Sequence, residues 1–441
     1  MNENSLNFNS IIQEYESNTP YQNIGKILSS QGMLYEASLP RAVMGCRVEF
    51  MTQTGESCFG EVVGIDGDNC KVMPYDEIVG INSETKIYLR DLTTTIKVSH
   101  GMLGRVVDYQ GEPIDGKGPI LDNFDIRSIL GEPINPLERP PIRQPLDTGV
   151  NSINAFMTAG KGQRLAIMAG SGVGKSTLMG MIARNTNADI NVIALIGERG
   201  REVLEFIESD LGEEGLKRSV VVVATSDKSP LIRAKAAYTA TTIAEYFRDQ
   251  GKKVLLLMDS LTRFARAQRE IGLAAGEAPA RRGYPPSVFS ELPKLVERAG
   301  CAVTGSITAF YTVLIEGDDM SDPVGDEVRS LLDGHIVLSR DLASGNHYPA
   351  IDILDSLSRL MNKLVSPMQR EAGAHIRKLL SKHKDIEFLV RVGEYQRGAD
   401  PEADEALDKI DLIRAFLKQR PDEHTSYEET VVWLNNLAGI K

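Results

Sequence analysis

The feature that most constrains this chain is the segment AGSGVGKST at residues 169–177, which directly follows an apolar run at residues 165–168. A buried strand that leads into a glycine-rich loop, with a helix beginning at the lysine, presents backbone N–H groups to phosphate. Lys175 would reach the β- and γ-phosphates, Ser176 would hold Mg²⁺, and Thr177 would lie near the α-phosphate. The expected phosphate-binding residues are Gly170, Ser171, Gly172, Val173, Gly174, Lys175, Ser176 and Thr177.

Composition narrows the class of protein. The chain has 441 residues, of which 42% are apolar and 25% are charged, as in a globular enzyme of two or three domains. A formal net charge of −12 argues against a protein that mainly coats nucleic acid. There is no apolar run of about eighteen residues, and the first residues lack the basic region and apolar core of a signal peptide. We therefore expect a cytoplasmic protein.

The cysteines and histidines do not form a metal-binding pattern. The four cysteines are widely spaced, without a Cys-x-x-Cys pair or a histidine at ligand spacing. We expect free thiols at Cys46, Cys58, Cys70 and Cys301, and we assign the six histidines to packing or to the surface.

The N-terminal part is β-rich. Short apolar runs at residues 46–51, 58–65 and 70–73 are separated by the turn dipeptides Thr54-Gly55 and Asp66-Gly67, which predict an antiparallel barrel or sandwich. Residues 1–40 are polar, and the spacing of their few apolar residues favours either a weak amphipathic helix or a disordered arm. Those apolar residues are Leu6, Phe8, Ile11, Ile12 and Tyr15.

The central part alternates apolar runs with helical patterns, which predicts a parallel sheet with crossover helices. Five prolines between residues 127 and 147 favour an extended connector before it. Ser229, Pro230 and Gly251 predict a helix over residues 230–250. The expected strands lie at residues 165–168, 192–196, 220–224, 254–258, 302–307 and 336–338.

Charged helical segments at residues 367–383 and 401–418 follow the last apolar run and predict a helical C-terminal domain. We therefore expect a multi-domain α/β protein. Residues 1–95 would form an arm and a β-barrel, residues 96–362 a P-loop nucleotide-binding core, and residues 363–441 the helical domain.

Two further strand ends carry acidic residues. Asp259 ends the run at residues 254–258, where a carboxylate would anchor Mg²⁺ beside the nucleotide. Glu198 and Arg199 follow the run at residues 192–196 and would open onto the same edge of the sheet. Glu198 is the candidate activator of the attacking water, and Arg199 would stabilise the transferring phosphoryl group, unless both are simply solvated.

Several longer motifs together resemble the catalytic subunits of rotary ATP synthases, and more closely the ATPase of the flagellar and type III protein-export apparatus. GERGRE at residues 197–202, DSLTR at 259–263 and PAIDILDSLSR at 349–359 carry the first resemblance. RFARAQREI at 263–271, RGYPPSVF at 282–289 and EYQRGAD at 394–400 carry the second. The resemblance covers roughly residues 20–441.

This resemblance implies a RecA-like core in a homohexameric ring, with ATP and Mg²⁺ at each subunit interface. It also implies roles for individual residues. Glu198 corresponds to the catalytic glutamate with Arg199 beside it, and Asp259 to the Mg²⁺ aspartate. Tyr348 takes the place of the aromatic that stacks on adenine. Arg359 corresponds to the arginine finger that enters the neighbouring subunit's site, and a planar guanidinium suits the charge of the phosphoryl transition state.

The resemblance further implies partners. The loop at residues 272–286 would face the central hole and meet a stalk protein or a passing chain, although an ordinary surface loop explains the same composition. The helical domain would recognise export chaperones with their cargo, and the N-terminal segment would dock on a stator-like regulator. The ring would lie at the cytoplasmic face of the membrane against the export gate, without nucleic acid.

Three other classes of protein have a P-loop core of the same kind. A rotary synthase subunit fits the C-terminal motif less well, and a non-catalytic ring subunit would lack Glu198. A Rho-like RNA translocase would carry an aromatic, basic oligonucleotide-binding barrel. The barrel here has only Phe50, Phe59, Tyr75 and Tyr88, among many acidic residues. The motifs are common to the flagellar and host-injecting systems and leave that choice open.

Overall fold

The computed structural model describes residues 23–53, 55–77, 79–315 and 322–440. The arm proposed for residues 1–22 lies outside these ranges. The described residues form two compact units. One comprises residues 23–94 with Leu273–Glu277, and the other comprises Thr95–Gly272 with residues 278–440.

The smaller unit is a closed six-stranded antiparallel barrel with the strand order β1-β2-β5-β4-β3-β6. Its interior is apolar, and Val48 and Phe50 are fully buried on alternate positions of one strand. The three predicted runs correspond to β3, β4 and β5. The strands are β1 (Ile24–Gln31), β2 (Leu34–Ser38), β3 (Arg47–Met51), β4 (Ser57–Asp66), β5 (Asn69–Pro74) and β6 (Lys86–Asp91).

Strands β1 and β2 correct the expectation of a helix or a disordered arm for the later part of residues 1–40. In β1 only Gly25 and Ile27 are buried, so the strand is polar on most of its surface. Its pairing with β2 and β6 closes the barrel. A strand with one short buried stripe has too few apolar residues to stand out in the sequence.

The larger unit is built on a nine-stranded sheet with the order β17-β16-β10-β15-β13-β11-β12-β8, beside which β14 pairs with β15. Neighbouring strands along that order are parallel except β16 and β17, and β14 is antiparallel to β15. Strands β7 and β9 form a separate two-stranded sheet. The strands are β7 (Thr95–Val98), β8 (Arg105–Val107), β9 (Asp125–Ser128), β10 (Arg164–Ala169), β11 (Ile190–Ile196), β12 (Ser219–Ala224), β13 (Lys253–Asp259), β14 (Gly300–Cys301), β15 (Ser306–Leu314), β16 (Gly334–Leu338) and β17 (Ile351–Ser358).

Five of the six predicted central strands lie where expected, and the prediction for residues 302–307 is wrong. The N–H of Ala302 donates to the carbonyl of Gly305 at 2.8 Å, so the chain reverses there between β14 and β15. The segment contains the dipeptide Thr304-Gly305, of the same type as the turn predicted at Thr54-Gly55, so a turn signal was present and was overlooked. The strand is Ser306–Leu314, in the middle of the sheet.

Helices surround this sheet and extend beyond it. A π-helical turn at Phe206–Leu211 joins α3 to α4, and short 3₁₀ turns lie at His100–Met102, Pro136–Glu138 and Arg281–Gly283. The helices are α1 (Asn151–Phe156), α2 (Lys175–Asn185), α3 (Gly200–Glu205), α4 (Gly212–Lys217), α5 (Pro230–Asp249), α6 (Leu261–Ala275), α7 (Pro286–Val296), α8 (Pro323–Leu331), α9 (Arg340–Ser344), α10 (Met361–Leu364), α11 (Pro367–Arg391), α12 (Pro401–Leu417) and α13 (Tyr427–Ala438).

Helix α5 confirms its predicted start and ends within a residue of the prediction. The Ser229 hydroxyl accepts a hydrogen bond from the N–H of Ile232 and caps the helix, with Pro230 at its first position. The connector after β9 also agrees with its prolines, since residues 129–147 hold only the 3₁₀ turn at Pro136–Glu138.

The C-terminal helices pack on the sheet through a continuous apolar core that includes Phe156 and Phe416, whose rings meet edge to face. Helix α13 was not predicted, although a capping box formed by Ser426 and Glu429 marks its start. Among the described residues, no helix has the length and apolar character needed to cross a membrane.

Candidate active site

The glycine-rich loop links β10 to α2 as the sequence predicts. Gly174 is the residue before the helix and has φ +87°, and Gly172 has φ +77°, a backbone region that favours glycine. The N–H groups of the first turn of α2 have no partner within the helix, because such partners would lie before its start. They form the positive end of the helix dipole, which suits a phosphate.

Three charged side chains meet at this edge of the sheet. The Lys175 ammonium lies 2.6 Å from Oδ1 of Asp259 and 3.6 Å from Oε1 of Glu198. Parallel strands bring their carboxyl ends to one edge, so the ends of β10, β11 and β13 converge. The hydroxyl of Thr312, on the intervening strand β15, donates to the same oxygen of Asp259 at 2.6 Å.

The electrostatics of this cluster are strongly coupled. Burial, reinforced by the negative charge of Asp259 and opposed by Lys175, raises the pKa of Glu198 to about 7. Burial alone would lower the pKa of Lys175, but the charges of Asp259 and Glu198 outweigh it and the pKa is raised. Lys175 is therefore charged at neutral pH, and Glu198 is poised between its two protonation states, as a general base requires.

The donor set fits Mg²⁺ bound together with a nucleotide. Asp259 is 3% exposed, and the Ser176 hydroxyl stands at the start of α2. Oε1 of Glu198 is buried without a hydrogen-bond partner in the described part of the chain. No group of three or more His, Cys, Asp or Glu side chains able to hold a metal occurs among the described residues. Mg²⁺ usually takes one or two protein oxygens and completes its shell with phosphate and water, so this sparse set suits it.

The side chains of two residues that we expected at the site bond other partners. The Arg199 side chain is 75% exposed and bonds Glu202 at 3.1 Å, so it is not part of the cluster around Lys175. The Thr177 hydroxyl hydrogen-bonds the carboxylate of Asp210. Only the backbone N–H of Thr177 is then left to face a phosphate.

Arg263 is a cation that the sequence analysis did not assign to the site. A Cβ at Gly197 would lie 3.2–3.3 Å from the Arg263 side chain, and the positive charge of Arg263 acts to lower the pKa of Glu198. Nε of Arg263 is buried without a hydrogen-bond partner in the described ranges. No local pattern marks Arg263, because its nearness to Gly197 depends on how α6, which begins at Leu261, packs.

Tyr348 lies against the glycine-rich loop. A Cβ at Gly174 would lie 3.3 Å from Cε1 of the Tyr348 ring, so the two are in contact and glycine is required there. The ring is 41% exposed, and the carbonyl of Tyr348 accepts a hydrogen bond from the N–H of Gln419 at 3.0 Å. An exposed aromatic face beside the loop is available to stack on a nucleotide base.

Arg359 lies at the opposite end of the sheet from the loop. Its N–H donates to the carbonyl of Asp333, and the N–H of Asp333 donates to the carbonyl of Arg164, the first residue of β10, both at 2.9 Å. The glycine-rich loop begins at the other end of that six-residue strand. Strands rise about 3.3 Å per residue, so roughly 16 Å separates the two ends. Arg359 and the Lys175 cluster are therefore not brought together within one chain.

Comparison with known families matches two parts of the chain. Residues 149–358 match the ATP synthase alpha/beta family, nucleotide-binding domain. Residues 365–436 match the T3SS EscN ATPase C-terminal domain. The first match contains the loop, Glu198, Asp259, Tyr348 and the strand before Arg359.

Individual relatives extend this similarity to nearly the whole chain. The flagellum-specific ATP synthase of Treponema pallidum (strain Nichols) is 52% identical over 96% of this chain and 94% of its own. The type 3 secretion system ATPase of Xanthomonas euvesicatoria is 52% identical over 94% of this chain and 93% of its own.

Solved structures agree with the fold. The assembled ATPase EscN of enteropathogenic E. coli superposes with a TM-score of 0.90 at 48% identity, covering 94% of this chain and all of that one. EscN in complex with its central stalk EscO superposes with a TM-score of 0.87 over the same shares. Barrel, parallel sheet and C-terminal helices are thus common to both proteins.

Proposed function

The chain belongs to the ATP synthase alpha/beta family, and it is an ATPase of the flagellar and type III protein-export type; from this premise we propose that it hydrolyses ATP at sites shared between subunits of a ring. The observation that carries the proposal is the separation of two sets of residues. Lys175, Glu198 and Asp259 meet at one end of the sheet, and Arg359 lies at the other end.

Each residue at the loop has a role in this proposal. The loop N–H groups and Lys175 bind the β- and γ-phosphates, and Ser176 and Asp259 hold Mg²⁺. Glu198, in its unprotonated form, orients the attacking water and takes its proton. Tyr348 stacks on the base. When bound, Mg²⁺ neutralises charge on the phosphate oxygens.

Arg359 would complete the site of the neighbouring copy. Phosphoryl transfer needs positive charge around the γ-phosphate, and Arg199 faces solvent in this structure. Arg359 lies at the far end of the sheet from the glycine-rich loop of its own subunit. Its guanidinium is therefore better placed to contact the nucleotide of a neighbouring subunit. Head-to-tail contacts of this kind close into rings, and we propose a hexamer like the assembled EscN.

Hydrolysis in this ring would release export cargo from its chaperones and promote cargo unfolding. Chaperone–cargo complexes would meet the C-terminal helices, and a stalk protein would occupy the central hole, as EscO does with EscN. We place the ring in the cytoplasm against the membrane export gate, with a stator-like regulator at the N-terminal segment. We also propose that residues 1–95, 96–362 and 363–441 form three functional domains.

The barrel gives an observation against the RNA-translocase alternative. Phe50 and Tyr75 are buried in the barrel, at 0% and 2% exposure. Arg47 lies over the Phe59 ring at 3.8 Å and covers it. Single-stranded RNA binding needs exposed aromatic faces on which bases stack, and these rings do not offer them.

A mixing experiment tests the shared site. Glu198→Gln subunits keep Arg359 but lack the base, and Arg359→Ala subunits keep the base but lack the arginine. Each variant alone is expected to be inactive. Co-assembled rings are expected to regain ATPase activity, since some interfaces then combine an intact Glu198 with an intact Arg359. Absence of activity in rings shown to contain both variants would refute the shared site.

A further inference from the structure

A cavity of about 520 Å³ lies over the outer strands β10, β16 and β17 of the sheet. It extends from Gly170 in the glycine-rich loop to His335, near the start of β16. Arg329, in the last turn of α8, also lines it, together with Lys384. Apart from Gly170, the residues around this cavity have no part in the proposed chemistry of the loop.

Arg329 is joined directly to Arg359. Nη2 of Arg359 donates to the carbonyl of Arg329 at 3.1 Å, and the Arg359 N–H bonds Asp333, four residues after Arg329. The two guanidinium-bearing residues therefore occupy one small region at the same end of the sheet. A protein surface that contacts Arg329 would therefore also lie next to Arg359.

Neither arginine has a counterion in the described part of the chain. Nε and Nη2 of Arg329 are buried without a hydrogen-bond partner there, and the guanidinium of Arg359 donates to a carbonyl rather than to a carboxylate. Burial, together with the charges of Arg329 and Arg359, lowers the pKa of His335, whose ring hydrogen-bonds the carbonyl of Asp355. Within the described residues, Arg329 therefore keeps buried donors unsatisfied and a charge without a counterion, which is costly in an isolated subunit, whereas the Arg359 side chain lies in an exposed position.

The cavity lining favours a protein surface over a free anion. Asp341, Asp352 and Asp355 line the same cavity as Arg329 and Lys384, so both signs of charge are present. Inorganic phosphate or a second nucleotide carries only negative charge, so it would meet the three carboxylates without cations of its own to offset them. A neighbouring subunit, in contrast, presents fixed charges of both signs, and this chain carries 61 acidic residues against 49 basic ones.

We propose that Arg329 forms an ion pair with a carboxylate of the neighbouring subunit in the ring and thereby positions Arg359 at that neighbour's nucleotide. The inference rests on the shared site proposed above. In the assembled ring the pair supplies the counterion that the Arg329 guanidinium lacks among the described residues of its own subunit, and it steadies the last turn of α8, whose carbonyl at Arg329 accepts from Arg359. Arg329 is a positioning residue, and Arg359 is the one that meets the phosphate.

The mixing experiment distinguishes this role from a merely structural one. The double variant E198Q/R329Q supplies Arg359 without Arg329, and R359A supplies the intact base. We expect this mixture to show about one-tenth or less of the ATPase activity of E198Q with R359A, as when a partner is removed from an interfacial charge pair. E198Q/R329K in place of E198Q/R329Q should restore part of the activity, since lysine keeps the charge without the planar fork.

Two controls accompany it. In the reciprocal mixture, R329Q is placed in the R359A subunit and E198Q supplies both arginines, so activity is expected to remain. Arg391→Gln in the E198Q subunit removes one charge from an exposed residue paired with Glu387 on its own helix, and activity should again remain.

The outcomes separate the two proposals. Loss confined to the mixture in which the E198Q subunit lacks Arg329 supports its positioning role. Equal loss in both R329Q mixtures, or no loss in either, overturns it. If E198Q and R359A fail to complement each other, the shared site itself is refuted, whatever Arg329 does.

Discussion

Nζ of Lys175 lies 2.6 Å from Oδ1 of Asp259, so the phosphate-binding lysine is paired with the carboxylate that we propose as the Mg²⁺ ligand. Both groups are largely buried, and the Thr312 hydroxyl donates to the same oxygen. ATP entry must exchange this internal pair for contacts with phosphate and metal. Since the lysine and the carboxylate neutralise each other, neither is an isolated buried charge before a nucleotide binds.

This pairing predicts opposite effects of Asp259→Asn on two ligands. Binding of ATP with Mg²⁺ should weaken by about tenfold or more, because the metal loses its protein carboxylate. Binding of ATP in the presence of EDTA should be unchanged or tighter, because Lys175 is released from its partner. Isothermal titration with and without Mg²⁺ measures both. Asp189→Asn, at the other end of β11, is the control, and equal weakening with and without metal would contradict the assignment.

Glu198→Gln should abolish turnover without abolishing binding. The amide keeps the shape of the side chain but takes no proton from water, and losing a general base costs about 10²–10⁴ in rate. Steady-state phosphate release and fluorescent-nucleotide titration measure the two properties. Glu205→Gln, at an exposed carboxylate of α3 that lies 3.7 Å from the Arg201 guanidinium, is a matched control that should retain activity. Turnover within a factor of a few of the parent would remove Glu198 from the mechanism.

The pH dependence of hydrolysis should reflect Glu198. Its pKa is raised to about 7 by burial and by Asp259, so the protonated form prevails below that pH. A base works only when unprotonated, and we therefore expect kcat/KM, which reports the free enzyme, to rise with pH through about 7 and then level off. Rate profiles at ATP concentrations well below KM measure this. A profile that is flat between pH 6 and about 8, or one that falls, would contradict the role.

Tyr348→Ala should weaken nucleotide binding, whereas Tyr348→Phe should not. Stacking of a base on an aromatic ring contributes about 1–3 kcal/mol, which corresponds to roughly 5- to 150-fold in Kd. The phenylalanine keeps the ring beside Gly174 and removes only the hydroxyl. Titration with a fluorescent ATP analogue measures both variants. Equal affinity of the alanine variant and the parent would show that the base binds elsewhere.

The sequence predicted the features that depend on local pattern. Ser229 and Pro230 define the start of α5 because capping involves neighbouring residues. Asp259 and Glu198 could be placed beside the loop because parallel strands align their ends. Arg263 was missed as a site residue because its nearness to Gly197 depends on how α6 packs, and the exposure of Arg199 depends on its own rotamer. The reversal between Ala302 and Gly305 was missed although Thr304-Gly305 is a turn dipeptide.

The buried pair of Arg298 and Glu245 gives a stability prediction that is independent of the active site. Arg298 is 1% exposed and bonds Glu245 through Nε at 2.9 Å and Nη2 at 2.5 Å. It also donates to the Ile129 carbonyl and the Thr242 hydroxyl, which ties the connector after β9 to helix α5. Removing one partner leaves the other charge buried without compensation.

Arg298→Met should therefore destabilise the protein by about 3–5 kcal/mol, because the Glu245 carboxylate loses its counterion. The double variant R298M/E245M should recover much of that loss, since replacing both partners of a buried pair by apolar groups is often nearly neutral. Thermal unfolding of parent, single and double variants measures the difference. A double variant no more stable than R298M would show that the bonds to Ile129 and Thr242, rather than the ion pair, hold this region together.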